Sequence, residues 1–226
     1  MKAFAMTASP LGRRQFLAGG ASLATLLLAG CSTSGTTRIA EDTKGVPPDV
    51  VAMYAAMPYE RFPIPAARME LIDREFWRQA VDDPTGERPG TVVVDTANRH
   101  LYLVGENRRA MRYGVGIGRD GFTWSGRGVI QYKKEWPTWT PPSEMIARQP
   151  ELEPYRHGMA PSIDNPLGAR ALYIFKDGRD TIYRVHGATD ERTIGKAISS
   201  GCVRLLNQDI IDLHSRVPSG SPIMVI

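Results

Sequence analysis

A chain of 226 residues is long enough for one domain with a full hydrophobic core plus extra segments, and 42% hydrophobic with 23% charged residues excludes a disordered or fibrous chain. The net charge of +4 and the pI near 9.2 do not imply a nucleic-acid partner. Lys2, Arg13 and Arg14 lie in the first thirty residues, which hold no acid, and removing those three from the 28 Lys and Arg leaves 25 basic against 24 acidic residues, with no basic stripe interleaved with aromatics.

The chain opens as an address rather than a fold. Arg13-Arg14 precede an apolar run, Phe16 to Ala29, that ends in small residues, the pattern of a secretory leader. The run is too short for a comfortable membrane span, which needs about 20 residues. Arg13-Arg14-Gln15-Phe16-Leu17 resembles a twin-arginine export signal, and Leu28-Ala29-Gly30-Cys31 resembles a bacterial lipobox. The lipobox resemblance implies a signal peptide over residues 1–30 and lipidation of Cys31. It leaves Cys202 as the free thiol, so no disulfide is required. Ser32, rather than Asp, follows Cys31, which by analogy with Gram-negative lipoproteins implies a periplasmic protein anchored at the outer membrane.

Residues 31–88 read as the lipidated Cys, a tether and an N-terminal extension. The Ser, Thr, Gly and Pro of 32–48 predict a flexible linker. Three prolines over 58–65 predict an extended stretch. Met69, Ile72, Phe76 and Ala80 stand at helical spacing, so a helix is expected over 66–80, broken by Asp82-Asp83-Pro84-Thr85-Gly86. From residue 89 the texture changes. Thr91–Asp95 and His100–Val104 predict a hairpin, and strands follow at Met111–Gly116 and Arg127–Tyr132. Ala171–Phe175 and Thr181–Val185 flank an Asp177-Gly178 turn. Asn207 is placed to cap a helix through Ile210, Ile211, His214 and Val217, and Pro222–Ile226 forms a closing strand. Short strands at close spacing with one or two helices predict a mainly β domain over 89–226.

The chemistry concentrates in Val185-His186-Gly187-Ala188 and Ser199-Ser200-Gly201-Cys202-Val203-Arg204. A thiol nucleophile needs a base beside it, because free Cys is mostly protonated at neutral pH. His186 at a strand end and Cys202 after a Gly-hinged return can meet in space. Gly201 would allow close backbone approach, so that amides near Cys202 face a developing oxyanion. On residue types alone, a buried inert Cys and a satisfied strand-end His fit better, because free Cys is among the most buried residue types.

His186-Gly187 followed by Ser199-Ser200-Gly201-Cys202-Val203-Arg204 resembles the signature of the L,D-transpeptidase catalytic domain (YkuD) family, and within it the ErfK-type exported lipoproteins. Asn165-Pro166-Leu167-Gly168-Ala169-Arg170 and Asn207-Gln208-Asp209 share that texture. Ser200 stands where many members carry a second His, so any role of that His has no counterpart here. The resemblance covers roughly residues 89–226. It implies a β-sandwich with one or two short helices and an enzyme acting on peptidoglycan peptide stems. Cys202 would be the nucleophile, His186 the general base, and the Gly187 carbonyl the group that orients the imidazole. Ser199, Ser200 and Gly201 would serve as substrate-binding or oxyanion residues. Arg204 would either hold a stem carboxylate or bond backbone carbonyls of the Cys loop. The acyl acceptor would be a second stem amine, a Lys of an envelope protein, or water. No cofactor and no nucleic-acid partner are expected.

Other signals count for less. Gly116-Ile117-Gly118-Arg119-Asp120-Gly121 spells a dinucleotide fingerprint, but Phe122 to Gly126 does not open a helix. Trp136 and Trp139 offer stacking faces or a self-packed loop. His100 and His157 read as surface or satisfied histidines and His214 as a packing residue. No Cys/His cluster has metal spacing, so no metal is expected. A sortase-like enzyme shares the order His, Cys, Arg but lacks its Thr-Leu-x-Thr-Cys run. A papain-like peptidase reverses Cys and His. A non-catalytic peptidoglycan tether would not need the Cys–His pair.

Overall fold

The computed structural model of the protein describes residues 45–118, 124–188, 190–199 (Ser199 by its backbone) and 201–226. The leader, Cys31, most of the tether and Ser200 lie outside the described residues. Residues 45–226 belong to one compact unit.

The segment before residue 89 departs from expectation. A short helix, α1 (Pro48–Met53), begins on a proline, whose missing N–H costs nothing in a first turn. Residues 58–65 are not extended but form a loop closed by two backbone bonds between Met57 and Ile64, of 2.9 and 3.2 Å. The helix expected over 66–80 is instead two 3₁₀ turns, Met69–Leu71 and Arg74–Phe76, followed by strand β1 (Gln79–Asp82). Met69, Ile72 and Phe76 are buried as their spacing suggested, whereas Ala80 is exposed. Tertiary packing overrides the period: the Trp77 indole donates to the Ile72 carbonyl at 3.0 Å, and Phe76 is drawn against Gly114.

Strands β2 (Val92–Asp95) and β3 (His100–Val104) form the expected hairpin, and β4 (Arg109–Gly114) extends it to a meander. Next come β5 (Ile117–Gly118), β6 (Gly126–Glu135), α2 (Ser143–Arg148), β7 (Arg170–Lys176) and β8 (Arg179–Ala188). The Asp177-Gly178 turn between β7 and β8 has φ of 51° and 74°, the double left-handed geometry that Asp-Gly supplies cheaply. The chain ends with β9 (Ala197–Ser199), β10 (Val203–Leu206), α3 (Asn207–Arg216) and β11 (Pro222–Val225). Nine strands make one sheet in the order β1-β4-β3-β2-β11-β6-β7-β8-β10, and β5 pairs with β9 apart from it. The fold is mainly β. Within residues 89–226 the described α-helices are two, α2 and α3, as the sequence suggested.

β11 does not close an edge. It lies mid-sheet, parallel to β2 and antiparallel to β6. The sheet wraps so that Val92, Leu101 and Tyr113 from one half meet Leu172, Val185 and Leu205 from the other in one core, joined by Ile210 and Leu213 of α3. Side chains alternate across a strand, so Tyr173, Arg184 and His186 face away from that core. Asn207 does not cap α3. It is the helix's first residue, and its carboxamide turns inward to accept the Ala169 amide at 2.9 Å.

Candidate active site

Strand pairing brings the two halves of the sequence motif together. β10 runs parallel to β8, with Val203 opposite Val185 and Arg204 opposite His186. The other edge of β10 is tied at one point: Arg204 and Gly116 exchange both backbone hydrogen bonds, at 2.8 and 2.9 Å. Gly116 is required here because a Cβ would stand 2.4 Å from the Thr193 carbonyl oxygen. Strand β6 occupies residues 126–135, and Gly116 serves packing; residues 119–123, with Gly121, lie outside the described residues.

His186, Cys202, Arg204 and Gly201 line a single cleft of about 840 Å³. His186 is buried, and its Nδ1 lies 2.7 Å from the Gly187 carbonyl oxygen. A carbonyl only accepts, so Nδ1 carries the proton and Nε2 keeps its lone pair. Burial pushes the imidazole down to about 4, assisted by the Arg204 and Arg184 cations, against the pull of the Gly187 bond. Burial also pushes the Cys202 thiol up, opposed by a backbone hydrogen bond from Arg184 and by the two arginines. At neutral pH both groups are therefore uncharged, and the imidazole is a free base.

Gly201 has φ of +122°, a conformation that disfavours any side chain. Close approach is not its reason, since a Cβ would come no nearer than 3.7 Å to Tyr183. Ser199 pairs through its backbone with Gly118. Its side chain, like Ser200, is outside the described residues. The Arg204 guanidinium is partly buried and makes no hydrogen bond or ion pair among the described residues. Bonding to carbonyls of the Cys loop, one of its two expected roles, is thus not seen there.

The sequence reading missed a wall of the cleft. Tyr132 and Tyr173 stack with centroids 4.3 Å apart, and the Arg184 guanidinium lies 4.4 Å over Tyr173 while gripping both carboxylate oxygens of Asp180 at 2.7 Å. Lys134 stands 5.6 Å from the Tyr173 ring. Counting by twos from His186 along β8 and across to β7 would have found Arg184 and Tyr173. The two tryptophans divide the expected roles. Trp136 is buried, donates to Glu60 at 2.9 Å and meets Phe62 edge-on, whereas Trp139 lines the cleft. His100 is buried with Nε2 3.1 Å from the Glu75 carbonyl oxygen, His157 is exposed, and His214 lies on α3 with a buried Nε2. No group of three metal-ligating side chains is found among the described residues.

Residues 89–225 match the L,D-transpeptidase catalytic domain (YkuD) family. A protein of Fuscovulum blasticum from the ATP synthase subunits region, named as an L,D-transpeptidase, is 36% identical over 138 residues, 60% of this chain and 68% of its own. "Probable L,D-transpeptidase YbiS" of Escherichia coli K12 is 35% identical over 141 residues, 60% of this chain but only 44% of its own. A solved structure from Brucella melitensis, described as a probable carnitine operon oxidoreductase, is 42% identical, covers 70% of this chain and 98% of that one, and superposes with a TM-score of 0.49. The redox description belongs to that protein. With a family match that spans most of the chain and takes in His186, Gly187, Cys202 and Arg204, the protein belongs to the L,D-transpeptidase catalytic domain (YkuD) family.

Proposed function

We propose that the protein transfers acyl groups between peptidoglycan peptide stems through a thioester on Cys202. The observation that carries this reading is the fixed tautomer of His186: Nδ1–H is held by Gly187, and Nε2 is left as a base in the cleft that Cys202 lines. His186 Nε2 takes the thiol proton as Sγ attacks the carbonyl between the third stem residue and the terminal D-alanine. The tetrahedral centre collapses, the C–N bond breaks, and the proton passes from His186 to the departing amine. A second amine then attacks the thioester, gives its proton to Nε2, and Sγ leaves as the thiol. The acceptor is a diaminopimelate side chain, giving a 3→3 cross-link, or a Lys of an envelope protein. Water in that place makes the enzyme a carboxypeptidase.

Arg204 takes a stem carboxylate. The support is its place beside His186 in register and its lack of a partner among the described residues, which suits a guanidinium waiting for a bidentate anion. The sequence Leu28-Ala29-Gly30-Cys31-Ser32 supports export and lipid anchoring in the periplasm, at the outer membrane.

The test is intact mass after incubation with a carbapenem, whose strained amide acylates active-site thiols of this chemistry. One adduct, absent from Cys202→Ala, supports the thioester. A folded protein that forms no adduct removes it and leaves a non-catalytic peptidoglycan tether.

A further inference from the structure

We infer that residues 45–82, which precede the family domain, form a strap that positions the Cys202 loop for reaction, with Phe76 and Arg68 as its positioning residues. The inference rests on the reading of Cys202 as the nucleophile.

The chain leaves the base-bearing strand β8 at Ala188 and returns to β10 at Val203, so Cys202 sits at the end of a long return. The strap grips that return before the nucleophile. The Arg68 backbone amide and guanidinium donate to the two carboxylate oxygens of Glu191, each at 3.2 Å. Glu191 is itself buried. The Phe76 ring fills the space beside Gly195, where a Cβ would lie 2.4 Å from its edge, and the Phe76 backbone presses equally closely on Gly114. Gly195 has φ of +73° and donates to the Val115 carbonyl at 3.1 Å, so the ring wedges a bent piece of the return against the sheet.

The same strap grips the chain after the nucleophile. Ile194 and Leu206, on either side of Cys202 in sequence, join one apolar cluster with Val50, Tyr54, Met69 and Phe76. The Gln208 carboxamide donates to the Pro65 carbonyl at 3.0 Å, and the Tyr54 hydroxyl donates to Asp209 at 3.1 Å. Cys202 is thus suspended between two anchor points on one element, and their spacing fixes where its thiol stands relative to His186. Loosening either anchor moves reacting atoms without altering the Tyr173 and Arg184 wall that lines the cleft. The loss therefore falls on the rate of bond formation, and a displacement of about 1 Å suffices for a tenfold to hundredfold effect.

The experiment compares the full-length protein with Arg68→Glu, Arg68→Lys and Phe76→Leu. Carbapenem acylation is followed over a concentration series, and amide deuterium exchange over residues 190–206 and 92–104. The Arg68 side chain is 61% exposed, so Arg68→Glu changes charge at a wetted site. Expected are a roughly tenfold slower saturating acylation rate in Arg68→Glu and Phe76→Leu, an unchanged half-saturating concentration, near-normal behaviour in Arg68→Lys, and faster exchange confined to 190–206. Folded variants that acylate at the wild-type rate overturn the inference, whatever their exchange. So does a change in half-saturation alone. If the wild-type protein takes no adduct, the Cys202 reading has failed, and the positioning role falls with it even if exchange shows the strap holding the loop.

Discussion

The carboxamide oxygen of Asn207 stands so close to Gly187 that a methyl group on that residue would lie 2.3 Å from it. The same oxygen accepts the Ala169 amide at 2.9 Å, and Gly187 donates its own amide to Leu167 at 3.1 Å. The residue whose carbonyl holds the His186 ring is therefore itself clamped by the start of α3. Gly187→Ala should cost about 1–3 kcal/mol from overpacking and slow acylation by shifting the imidazole. Asn207→Ala should cost about 1–3 kcal/mol by stranding the Ala169 amide. The double variant should fall well short of their sum, because the second change removes the first clash. Urea unfolding of all four proteins reads this directly, and costs that add within roughly 0.5 kcal/mol would refute the clamp.

Acylation should be insensitive to pH where a histidine ordinarily titrates. The imidazole acts as a base only when neutral, and burial holds it neutral down to about 4. The rate should persist as pH falls through 6.5 and decline only as it nears 4. Stability behaves differently. Unfolded histidine takes up a proton near 6.5, whereas the folded residue does so near 4, so the contribution present above 6.5 is lost progressively between those values, by up to about 3 kcal/mol. Adduct rates by mass spectrometry, and melting of wild type against His186→Asn across pH 4–8, check both halves. An acylation midpoint at 6.5 would show the imidazole to be solvated.

Glu60 should matter more for folding than its surface position suggests. Its carboxylate receives two nitrogens of Arg170, at 2.8 and 3.1 Å, and the Trp136 indole at 2.9 Å. Arg170 is buried, and Glu60→Ala leaves its guanidinium with only the exposed Glu135 carboxylate at 3.8 Å and the Ala169 carbonyl at 2.9 Å. A loss of about 3 kcal/mol is expected by chemical denaturation. Glu60→Gln should recover part of it by keeping an acceptor for the indole.

Ile182 is a β-branched residue with φ of +68° and 67% exposure, at the irregular stretch where β8 slips register against β7. Strain of this kind costs about 1–3 kcal/mol. Ile182→Gly should raise the melting temperature, and a lowered one would show that glycine's greater freedom in the unfolded chain outweighs the strain relieved. As Ile182 lines the cleft, the same variant reports whether the strain serves ligand binding, through the half-saturating carbapenem concentration.

What could be read from the sequence follows from where the determinants lie. The β2–β3 and β7–β8 hairpins were legible because their signals are local: short runs of β-branched and aromatic residues and, between β7 and β8, an Asp-Gly turn. His186 and Cys202 were legible through a motif, and parallel pairing of β10 with β8 supplies the geometry that the motif left unstated. The helix expected at 66–80 failed because Phe76 answers to Gly114 and Gly195, far away in sequence, rather than to its own neighbours. Asn207 looked like a cap because it opens a helix, and nothing local reveals that its partner is Ala169. The mid-sheet place of β11 is equally non-local, as are the Tyr173 and Arg184 wall and the grip of Arg68 on Glu191.

That mid-sheet strand sets the order of events during synthesis. Ile223 pairs with Val92, about 130 positions earlier, and with Gly128 on its other side. Until residues 222–225 leave the ribosome, the β2–β3–β4 meander and the β6–β7–β8 group have no strand between them, and each presents an open edge. Joining contacts so distant in sequence is slow, and open edges invite wrong pairing. The two groups must therefore stay loose until residues 222–225 have been made, which favours a domain handed over to chaperones over one that folds strand by strand as it emerges.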